Sequence, residues 1–500
     1  MEMLAYILHR CFDLQTIGIF TTVFLLFVYL LLSRGKLPPG PPGYPIIGNL
    51  LLMMSIKPGT RYNFYRRLTE KYGNICRIRF GHRNMFILSG YDTVHEALVT
   101  FGNVFGNRPN WLHTIKMATK NGRGVIFANG KEWEALRRMS LITLRGFGVG
   151  KQTIEERIKD EVKAIIDVLE ETSRQPFHIK YYLSRAITNI TCSILFGHRF
   201  DYDDPKFKEL LDALEIYFKM ENTSSPINAL PWLRYLPTKR QDVSTIMAPI
   251  KVWSEFTVDQ VEKHKETFDT NNIRDFIDVY LQTKNSLEED EDIITVGNIF
   301  RMILDLFGAG TETTATSLDW VFLYMIGYPE IQRKCQEEIA KVVGNGCSVS
   351  LADRRKLPYV HATLNEIQRI CNVAPTTIPH GLTEDVIFQG YSLPKHSIVI
   401  IDLMSVHKDP KYWQDPHLFK PERFLDHNGH LICRKAFMPF SEGPRKCLGE
   451  SLARSELFLI FSNLLQVYDF TRVNGNEVNF HGFHGKTLSP KPYELNIVSR

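Results

Sequence analysis

The sequence lacks any regular spacing of its cysteines. None of the eight belongs to a Cys-x-x-Cys pair, so the chain shows neither the framework of a disulfide-rich secreted protein nor a zinc site. Their scattered positions favour a reducing compartment. They are Cys11, Cys76, Cys192, Cys335, Cys347, Cys371, Cys433 and Cys447.

A strong excess of one charge is also missing. The formal net charge is +5 over 500 residues, so the composition predicts no nucleic-acid partner. No Gly-x-Gly-x-x-Gly segment follows a strand-like run, which argues against a dinucleotide site in this chain. Internal repeats and long low-complexity linkers are absent as well. The hydrophobic fraction of 44% and the charged fraction of 23% are those of a folded protein.

One long apolar run is present near the amino terminus. Leu14 to Leu32 is uncharged and about 19 residues long, which is enough to cross a bilayer as a helix. A cleaved signal peptide is the alternative, although its apolar core would be shorter and followed by small residues. Arg34 and Lys36 follow the run, and positive charge on this side predicts that the downstream chain lies in the cytosol.

A proline-rich segment comes next. Leu37 to Gly43 reads Leu-Pro-Pro-Gly-Pro-Pro-Gly, which cannot form a helix and predicts a stiff, extended spacer. We therefore expect a membrane anchor over residues 1–33, a basic and proline-rich hinge over residues 34–43, and one folded body over residues 44–500.

Most of the body has the periodicity of helices. Apolar residues recur at helical spacing in five segments and in a long run that begins near Val296. Strand-like alternation is confined to short pieces, so we expect a mainly helical domain with a small sheet. The predicted helices are Thr153 to Ser173, Asp204 to Met220, Ile250 to Phe268, Leu318 to Val343 and Val360 to Cys371. The predicted strands are Ile75 to Phe80, Met85 to Ser89, Val386 to Phe388 and Ser397 to Ile401.

One cysteine stands in an unusual turn. Cys447 follows Gly443-Pro444, which forces an irregular backbone, and precedes Gly449, whose missing side chain allows a close approach. Arg445 and Lys446 place positive charge beside the sulfur, which favours the thiolate. Such a thiolate would be a strong axial ligand for haem iron. A buried structural cysteine is the plain alternative.

A polar cluster interrupts the long apolar run. The segment reads Gly308-Ala309-Gly310-Thr311-Glu312-Thr313-Thr314. Each glycine inside a helix costs roughly 1 kcal/mol relative to alanine, which indicates a functional reason for the pair. Threonine hydroxyls can bond to a carbonyl one turn earlier, and Gly310 lets a ligand lie against the backbone. A kinked core helix is the alternative.

Donors for a carboxylate ligand are spread along the chain. Trp133 and Arg137 are four residues apart, so an indole N–H and a guanidinium share one face of a helix. Carboxylates in a largely apolar pocket need such basic or hydrogen-bonding partners. For each residue alone, a surface or capping role is the alternative.

These motifs together resemble those of the haem-thiolate monooxygenases, the cytochrome P-450 superfamily. Residues 440–449 follow Phe-x-x-Gly-x-Arg-x-Cys-x-Gly and resemble its haem-binding loop, while residues 308–314 resemble its oxygen-activation motif. The resemblance covers essentially the whole chain and is strongest to the microsomal family 2 enzymes. It implies a mainly α fold with a small β-sheet region, as a single large cytochrome P-450-type domain behind an N-terminal transmembrane helix.

The resemblance assigns roles to individual residues. Cys447 becomes the iron ligand of haem b, Thr313 the catalytic hydroxyl, and Glu312 the acid that relays protons for oxygen cleavage. The other cofactor-binding residues, expected to hold the haem propionates, are Arg108, Trp133, Arg137, His380 and Arg445. The expected substrate-binding residues are Ile115, Ala309, Ile378 and Phe483, for which simple core packing is the alternative.

A charge network is implied by the same resemblance. Glu366 and Arg369 are three apart on a predicted helix, where the simplest interpretation is an exposed ion pair. Arg423 lies in Pro-Glu-Arg-Phe ahead of the Cys447 turn. The resemblance predicts that these three residues interlock and fix the helix to the segment that carries the haem loop.

Electrons must come from another protein, because the chain has no dinucleotide motif. The resemblance implies NADPH-cytochrome reductase as the donor, with the chain anchored in the endoplasmic reticulum membrane and its catalytic domain in the cytosol. Basic residues on the cysteine side could receive an acidic reductase, although an ordinary solvated face is the alternative. They are Lys131, Arg138, Arg434, Lys435 and Lys446.

The sequence thus favours a membrane-bound monooxygenase that inserts one oxygen atom from O2 into a small apolar substrate, with electrons from NADPH. Fatty acids, steroids and foreign compounds all remain open as substrates. Two alternatives stay open: a haem-thiolate isomerase or dehydratase that rearranges oxygenated lipids without O2, and a non-catalytic haem sensor or membrane scaffold.

Overall fold

Helices dominate the computed structural model. It describes residues 16–22, 24–25, 36–45, 47–57, 59–81, 83–120, 123–149, 152–171, 175–220, 225–286, 295–344, 347–475 and 477–500. The α-helices, numbered in chain order, are α1 (Leu50–Met54), α2 (Arg61–Tyr72), α3 (Tyr91–His95), α4 (His113–Ala118), α5 (Gly130–Gly146), α6 (Gln152–Glu171), α7 (Ile179–Leu195), α8 (Pro205–Lys219), α9 (Pro226–Ala229), α10 (Pro237–Lys265), α11 (Phe276–Ser286), α12 (Val296–Gly327), α13 (Pro329–Val342), α14 (Pro358–Ile370), α15 (Leu403–His407) and α16 (Glu450–Val467).

Short helical turns complete the helical part of the fold. A π-helical turn, Glu96–Thr100, continues α3. The 3-10 turns are Pro231–Tyr235, Leu351–Lys356, Pro421–Phe424 and Val473–Gly475.

Short strands accompany the helices. They are β1 (Ile75–Phe80), β2 (Arg83–Leu88), β3 (His380–Gly381), β4 (Val386–Phe388), β5 (Tyr391–Leu393), β6 (Ile398–Ile401), β7 (Tyr468–Arg472), β8 (Gly482–His484), β9 (Leu488–Pro490) and β10 (Leu495–Ser499). A four-stranded sheet has the order β1-β2-β6-β3, with β1 and β3 antiparallel to their neighbours and β6 parallel to β2. The other strands form the antiparallel pairs β4–β5, β7–β10 and β8–β9.

The long helix α12 lies at the centre of the largest core cluster. Its side chains are buried on nearly every face, as expected of a helix that is apolar all round. It packs most extensively against α7 and also contacts α16. Trp320 and Phe322 on α12 are completely buried, and burying an aromatic side chain of this kind stabilises the fold by about 2 kcal/mol.

The predicted helix from Leu318 to Val343 is wrong in one respect, because the structure divides it at Tyr328. Helix α12 ends at Gly327 and α13 begins at Pro329. Proline disfavours a helical backbone in the residue before it, and Tyr328 has φ −130° and ψ 71°. Pro329 takes the first helical position, where no N–H is needed. Apolar periodicity continues across Tyr328, so the periodicity alone could not reveal the break.

Except for α10, the other predicted elements are confirmed within a few residues, and β1 and β4 have their predicted bounds. Helix α10 begins at Pro237, well before the predicted Ile250, because it continues through Pro249 despite the lost hydrogen bond. The pairing of β7 with β10 was not predicted, since five-residue strands that pair with distant partners carry little local signal.

The described part of the hinge, residues 36–43, lies against the body. The Arg77 N–H of β1 donates to the Pro39 carbonyl at 2.8 Å, and the Ser392 N–H of β5 donates to the Lys36 carbonyl at 2.8 Å. The predicted anchor helix from Leu14 to Leu32 lies mostly outside the described residues. Among the helices that are described, none has the length and apolar character needed to span a bilayer.

The predicted charge network is confirmed, and it is buried rather than exposed. Both oxygens of Glu366 accept from Arg369, at 2.7 and 2.8 Å, and Oε1 also accepts from Arg423 Nε at 2.9 Å. The side chains of Glu366 and Arg369 are completely buried. The arginines donate further to the carbonyls of His407 and Gln414. The network therefore joins α14 to the chain segment that leads to Cys447.

We expect Glu366→Gln to destabilise the fold by about 3–5 kcal/mol, because it leaves two buried guanidinium groups without a counter-charge. The midpoint of denaturant-induced unfolding measures this loss. Glu255→Gln is the matched control, since Glu255 pairs with Lys251 on the surface and its loss should cost less than about 1 kcal/mol. Similar losses in the two variants would contradict a stabilising role for the network.

Candidate functional site

A cavity of about 520 Å³ lies between α12, the segment before β3 and the turn that carries Cys447. Its wall is mostly apolar, with a few convergent polar groups, as is usual for a small-molecule site. Ten of the residues singled out from the sequence border it: Arg108, Ile115, Trp133, Arg137, Ala309, Thr313, Ile378, His380, Arg445 and Cys447. Glu312 and Phe483 do not border it.

The backbone of the Cys447 turn is fixed by its own hydrogen bonds and by one glycine. The Cys447 N–H donates to the Phe440 carbonyl at 3.0 Å. Gly443 has φ 74°, and a side chain there would collide with the Leu98 carbonyl. Gly449 is less constrained than the sequence suggested, because an added Cβ would meet only the Cys447 sulfur, at 3.9 Å.

Cys447 lies in the wall of the cavity, and its side chain is exposed to the cavity space. Burial raises the pKa of this thiol above its ordinary value and Glu450 adds to the rise, whereas the Gly449 N–H, Arg137 and Lys446 lower it to a smaller extent. The prediction that neighbouring positive charge favours the thiolate is confirmed for Lys446, but burial outweighs this effect and the thiol pKa is raised overall in the protein alone. A bound metal ion supplies the charge that deprotonates a coordinating thiol.

The guanidinium of Arg445 binds the chain segment between the π-helical turn and α5. Its Nε donates to the Gly106 carbonyl at 2.7 Å and its Nη2 to the Ala128 carbonyl at 2.7 Å. The guanidinium carbon lies 4.0 Å from the centre of the Trp133 ring. Its Nη1 is buried and has no partner among the described residues, so it can still donate to a ligand.

Arg108 and Arg137 border the same end of the cavity. Arg108 Nη1 donates to the Ile378 carbonyl at 2.7 Å, and Arg137 Nη2 donates to the Lys446 carbonyl at 2.7 Å. Burial lowers the pKa of Arg108 to about 9. Burial, reinforced by Arg108 and Arg137, lowers the pKa of Arg445 to about 8. Within the described chain none of the three forms an ion pair, so an anion would complete this end of the cavity.

His380 on β3 adds a neutral ring to this end. Its Nδ1 lies 2.7 Å from the Phe105 carbonyl, so this nitrogen carries a proton. Burial lowers the pKa of His380 well below its ordinary value, and Arg108 and Arg445 lower it further. A carboxylate ligand at this end would offset the two arginines and raise the pKa of His380.

Helix α12 forms the opposite wall of the cavity and is unbroken through the Gly-Thr segment. Thr313 Oγ1 donates to the Ala309 carbonyl at 2.7 Å. The two glycines make room for neighbouring helices: a Cβ at Gly308 would lie 3.2 Å from the Trp253 ring, and one at Gly310 would lie 3.3 Å from Thr191 Oγ1. The helix is therefore continuous through this segment, and Gly310 also borders the cavity.

Glu312 lies beside Thr313 in sequence but faces another part of the protein. Its Oε1 is 2.9 Å from Lys180 Nζ on α7 and accepts from Thr316 Oγ1 at 2.8 Å. Consecutive residues in a helix point about 100° apart. Thr313 therefore borders the cavity while Glu312 is held between α12 and α7.

Phe483 also faces away from the cavity, although its neighbours from His484 to Thr487 border it. Its ring lies against Gly59, which has φ 77° and no room for a side chain. Successive residues of a strand point to opposite faces, and Phe483 and His484 are adjacent in β8. The predicted substrate-binding residue Phe483 therefore lies one position away from His484, which does border the cavity.

Several cavity residues were not predicted. Arg301 and Asp305 form a buried ion pair at 3.0 Å, and Asp305 also accepts from the Ile126 N–H at 3.1 Å. Charges four residues apart in an apolar helix were a signal that the sequence offered. Trp253 borders the cavity as well, but its position depends on how α10 packs.

Glu456 on α16 is another unpredicted residue of the cavity wall. It is 1% exposed, and its Oε1 has no partner among the described residues. Burial raises the pKa of its carboxyl to about 8, although a hydrogen bond with Thr314 lowers it in part. The raised pKa favours the neutral acid form of Glu456 near pH 7.

A second cluster with metal-ligand chemistry lies elsewhere. His264, Asp275 and Asp278 are close enough to share an ion. However, His264 Nδ1 faces the Gln260 carbonyl at 2.8 Å and Nε2 faces Asp275 at 2.9 Å, so both nitrogens donate. Although burial lowers the pKa of His264, these partners raise it above its ordinary value. An imidazolium has no free lone pair for a metal.

Known proteins are similar over nearly the whole chain. Residues 38–497 match the family model described as Cytochrome P450. The chain is 38% identical to Cytochrome P450 2B19 of Mus musculus over 489 residues, which cover 96% of this chain and 98% of that protein. It is 36% identical to Cytochrome P450 2J2 of Homo sapiens over 490 residues, covering 97% and 96%. It is 38% identical to Cytochrome P450 2U1 of Rattus norvegicus over 506 residues, covering 96% and 94%.

We expect Glu456→Gln to remove a pH-dependent loss of stability. The carboxyl ionises near its ordinary pKa in the unfolded chain but only near pH 8 in the folded one. The folded state therefore holds the extra proton between these values, and wild-type stability should fall by about 1.4 kcal/mol per pH unit there. To measure this pH dependence, the unfolding free energies of wild type and Glu456→Gln are compared at pH 5.5 and again at pH 7.5.

The glutamine variant should gain stability relative to wild type as the pH rises. Glu255→Gln is again the control, because Glu255 is exposed. A difference between Glu456→Gln and wild type that stays constant over this pH range would show that Glu456 ionises normally in the folded protein.

Proposed function

This chain belongs to the cytochrome P450 family, and we propose that it is a membrane-bound monooxygenase. It would insert one oxygen atom of O2 into an apolar organic substrate with NADPH-derived electrons. Members of the family bind haem b through a cysteine thiolate. Membership of the family makes it a haem-dependent oxidoreductase of the monooxygenase type. The observation that supports the proposal best is one cavity with Cys447 on one wall and Thr313 on another.

The cavity fits haem on the chemistry of its donors. Cys447 would be the iron ligand, and Arg108, Trp133, Arg137, His380 and Arg445 would hold the two propionates. Three arginines without an ion pair among the described residues and a buried, unpartnered Arg445 Nη1 need an anion at this place. When bound, haem supplies the iron centre at which dioxygen is reduced and cleaved.

The residues of the α12 wall would manage protons. Thr313 Oγ1 stands at the cavity and can accept and donate a proton there, while its present hydrogen bond goes to the Ala309 carbonyl. Glu312 would supply protons to it. Because Lys180 and Thr316 hold the Glu312 carboxylate away from the cavity, the side chain has to turn before it can serve Thr313 directly or through water.

The substrate would lie on the apolar part of the wall. Ile115, Ala309 and Ile378 border it and would contact the substrate, whereas Phe483 is excluded from direct contact by its orientation in this structure. Aromatic side chains of Phe218 and Trp253 add to this part of the wall. Fatty acids, steroids and xenobiotics all match a pocket of this character.

Partners and location are proposed from the family together with surface charge. NADPH-cytochrome reductase would donate the electrons at the endoplasmic reticulum membrane, with the catalytic domain in the cytosol and residues 1–33 as anchor. The basic residues predicted for this contact are exposed at Lys131, Arg138, Arg434, Lys435 and Lys446. Lys446 is also paired with Glu450 at 2.8 Å, so an acidic partner would compete with Glu450 for this lysine.

A second candidate function is an isomerase or dehydratase of oxygenated lipids that needs neither O2 nor reductase. The orientation of Glu312 away from the cavity favours it, since such a reaction requires no proton relay to oxygen. Product formation under anaerobic conditions without reductase would support this candidate and overturn the monooxygenase proposal.

We expect the reduced, carbon-monoxide-bound holoprotein to show the red-shifted Soret band of thiolate-ligated haem, and Cys447→Ala to lose it because the only predicted sulfur ligand is gone. Absorption spectroscopy measures both. Cys371→Ala, at another cavity cysteine, is the matched control and should keep the band. A folded, haem-loaded wild type without this band would contradict the assignment of Cys447 as the iron ligand.

We expect Thr313→Ala to raise the ratio of hydrogen peroxide released to product formed by about tenfold or more, because a positioned proton donor contributes at least this factor to the step it serves. Peroxide, product and NADPH consumption are measured together with reductase present. Thr311→Ala is the control, since Thr311 is on the same helix, buried, and off the cavity. Equal ratios in both variants would refute the role of Thr313.

A further inference from the structure

One lysine serves two buried carboxylates on α12. Glu312 and Asp319 are seven residues apart, which is about two helical turns, so they lie on the same face of the helix. Lys180, in the first turn of α7, lies opposite this face and contacts Glu312 at 2.9 Å. Both carboxylates are nearly inaccessible, at 5% and 4% exposure.

Glu312 is restrained twice. Its Oε1 accepts from both Lys180 Nζ at 2.9 Å and Thr316 Oγ1 at 2.8 Å. These contacts keep the carboxylate on the α7 side of α12, while Thr313 borders the cavity. For Glu312 to reach the cavity, the ion pair with Lys180 and the weaker hydrogen bond from Thr316 both have to open.

Asp319 has no ion pair within 4 Å among the described residues, although it is buried. The charged and titratable groups that face it are Lys180 and His178 from the start of α7, Tyr493 from the segment before β10, and Glu312 on its own helix. The Tyr493 hydroxyl also donates to the Asp319 backbone carbonyl at 2.7 Å. Burial raises the pKa of Asp319 to about 7, with Lys180 lowering it in part. Asp319 is therefore partly protonated near neutral pH.

Lys180 remains a cation in this setting. Burial lowers its pKa, but Glu312 and Asp319 more than offset this, and Glu215 on α8 acts in the same direction. Glu215 itself is paired with Lys219 at 2.6 Å. One cation is thus available to two acids, and it can neutralise both fully only while one of them keeps its proton.

We propose that Lys180 and Asp319 are positioning residues that control Glu312: while Asp319 is neutral, Lys180 holds Glu312 away from the cavity, and when Asp319 ionises, Lys180 turns to it and releases Glu312 toward Thr313. This inference rests on the proposed function, because it assigns control to the proton relay proposed there. The proton lost by Asp319 passes to water at the start of α7, where the side chains of Lys180 and His178 are 23% and 56% exposed.

A purely structural role is the competing explanation. In that case Lys180 only neutralises Glu312 and fastens α7 to α12, and the protonation of Asp319 has no effect on Glu312. The two explanations differ in the coupling between Lys180 and Asp319, which can be measured without turnover.

The first experiment follows the protonated carboxyl of Asp319 by infrared difference spectroscopy of the haem-loaded full chain as a function of pH. The band is assigned by its loss in Asp319→Asn. We expect a midpoint near pH 7 in wild type and a rise of at least about one pH unit in Lys180→Met, because a nearby cation favours the carboxylate. Lys180→Arg should keep the wild-type midpoint, and so should the control Lys219→Met. An unchanged midpoint in Lys180→Met would overturn the inference.

The second experiment measures the ratio of product to peroxide between pH 6 and pH 8.5, with reductase present. In wild type the ratio should rise through the midpoint of Asp319. Asp319→Asn should stay at the low-pH level because Lys180 never leaves Glu312, and Lys180→Met should stay at the high-pH level because Glu312 is no longer held. Lys219→Met should follow wild type.

The variant Glu312→Gln distinguishes a failure of the proton relay from a failure of its control by Lys180 and Asp319. If its product ratio equals that of wild type at every pH, the relay through Glu312 is refuted, and the control proposed here is refuted with it. If Glu312→Gln lowers the ratio but Asp319→Asn and Lys180→Met both follow the wild-type pH curve, the relay stands and the control by Lys180 and Asp319 is overturned.

Discussion

The completely buried carboxylate of Glu366 accepts hydrogen bonds from Arg369 on its own helix and from Arg423 in a distant turn. A buried charge without partners would cost several kcal/mol, so these three groups can be buried only together. Their pairing fixes α14 against the segment that leads to the Cys447 turn. The position of the Cys447 sulfur at the cavity therefore depends on a buried ion-pair network elsewhere in the structure.

At one end of the cavity, buried charges lack the counter-charge that Glu366 supplies to its arginines. Arg108, Arg137 and Arg445 donate to backbone carbonyls, yet none has an ion pair among the described residues, and one buried nitrogen of Arg445 lacks a partner. Burial and mutual repulsion lower the pKa of Arg445. Haem, with its two propionates, has the charge that this end of the cavity needs. The charge network at Glu366 is complete within the protein, whereas the three arginines, in the proposed function, would be completed by the haem propionates.

Helix α12 separates two environments by the directions of its side chains. Thr313 faces the apolar cavity, and Glu312 faces α7, where Lys180 neutralises it. An acid next to the cavity but held outside it keeps a charge away from the apolar wall. In the proposed function, the packing of α12 on α7 and the supply of protons would thus depend on the same lysine.

The sequence by itself determined the family resemblance, the mainly helical class, and ten of the residues that border the cavity, because the spacing in the Cys447 turn and the Gly-Thr segment is local. The bounds of β1 and the arginines that border the cavity were also predicted from the sequence. Only the tertiary structure decided that Phe483 turns away in β8, that Glu312 pairs with Lys180, and that burial raises the pKa of the Cys447 thiol. Side-chain direction, burial and charge pairing arise from segments far apart in the chain, and no local pattern contains them.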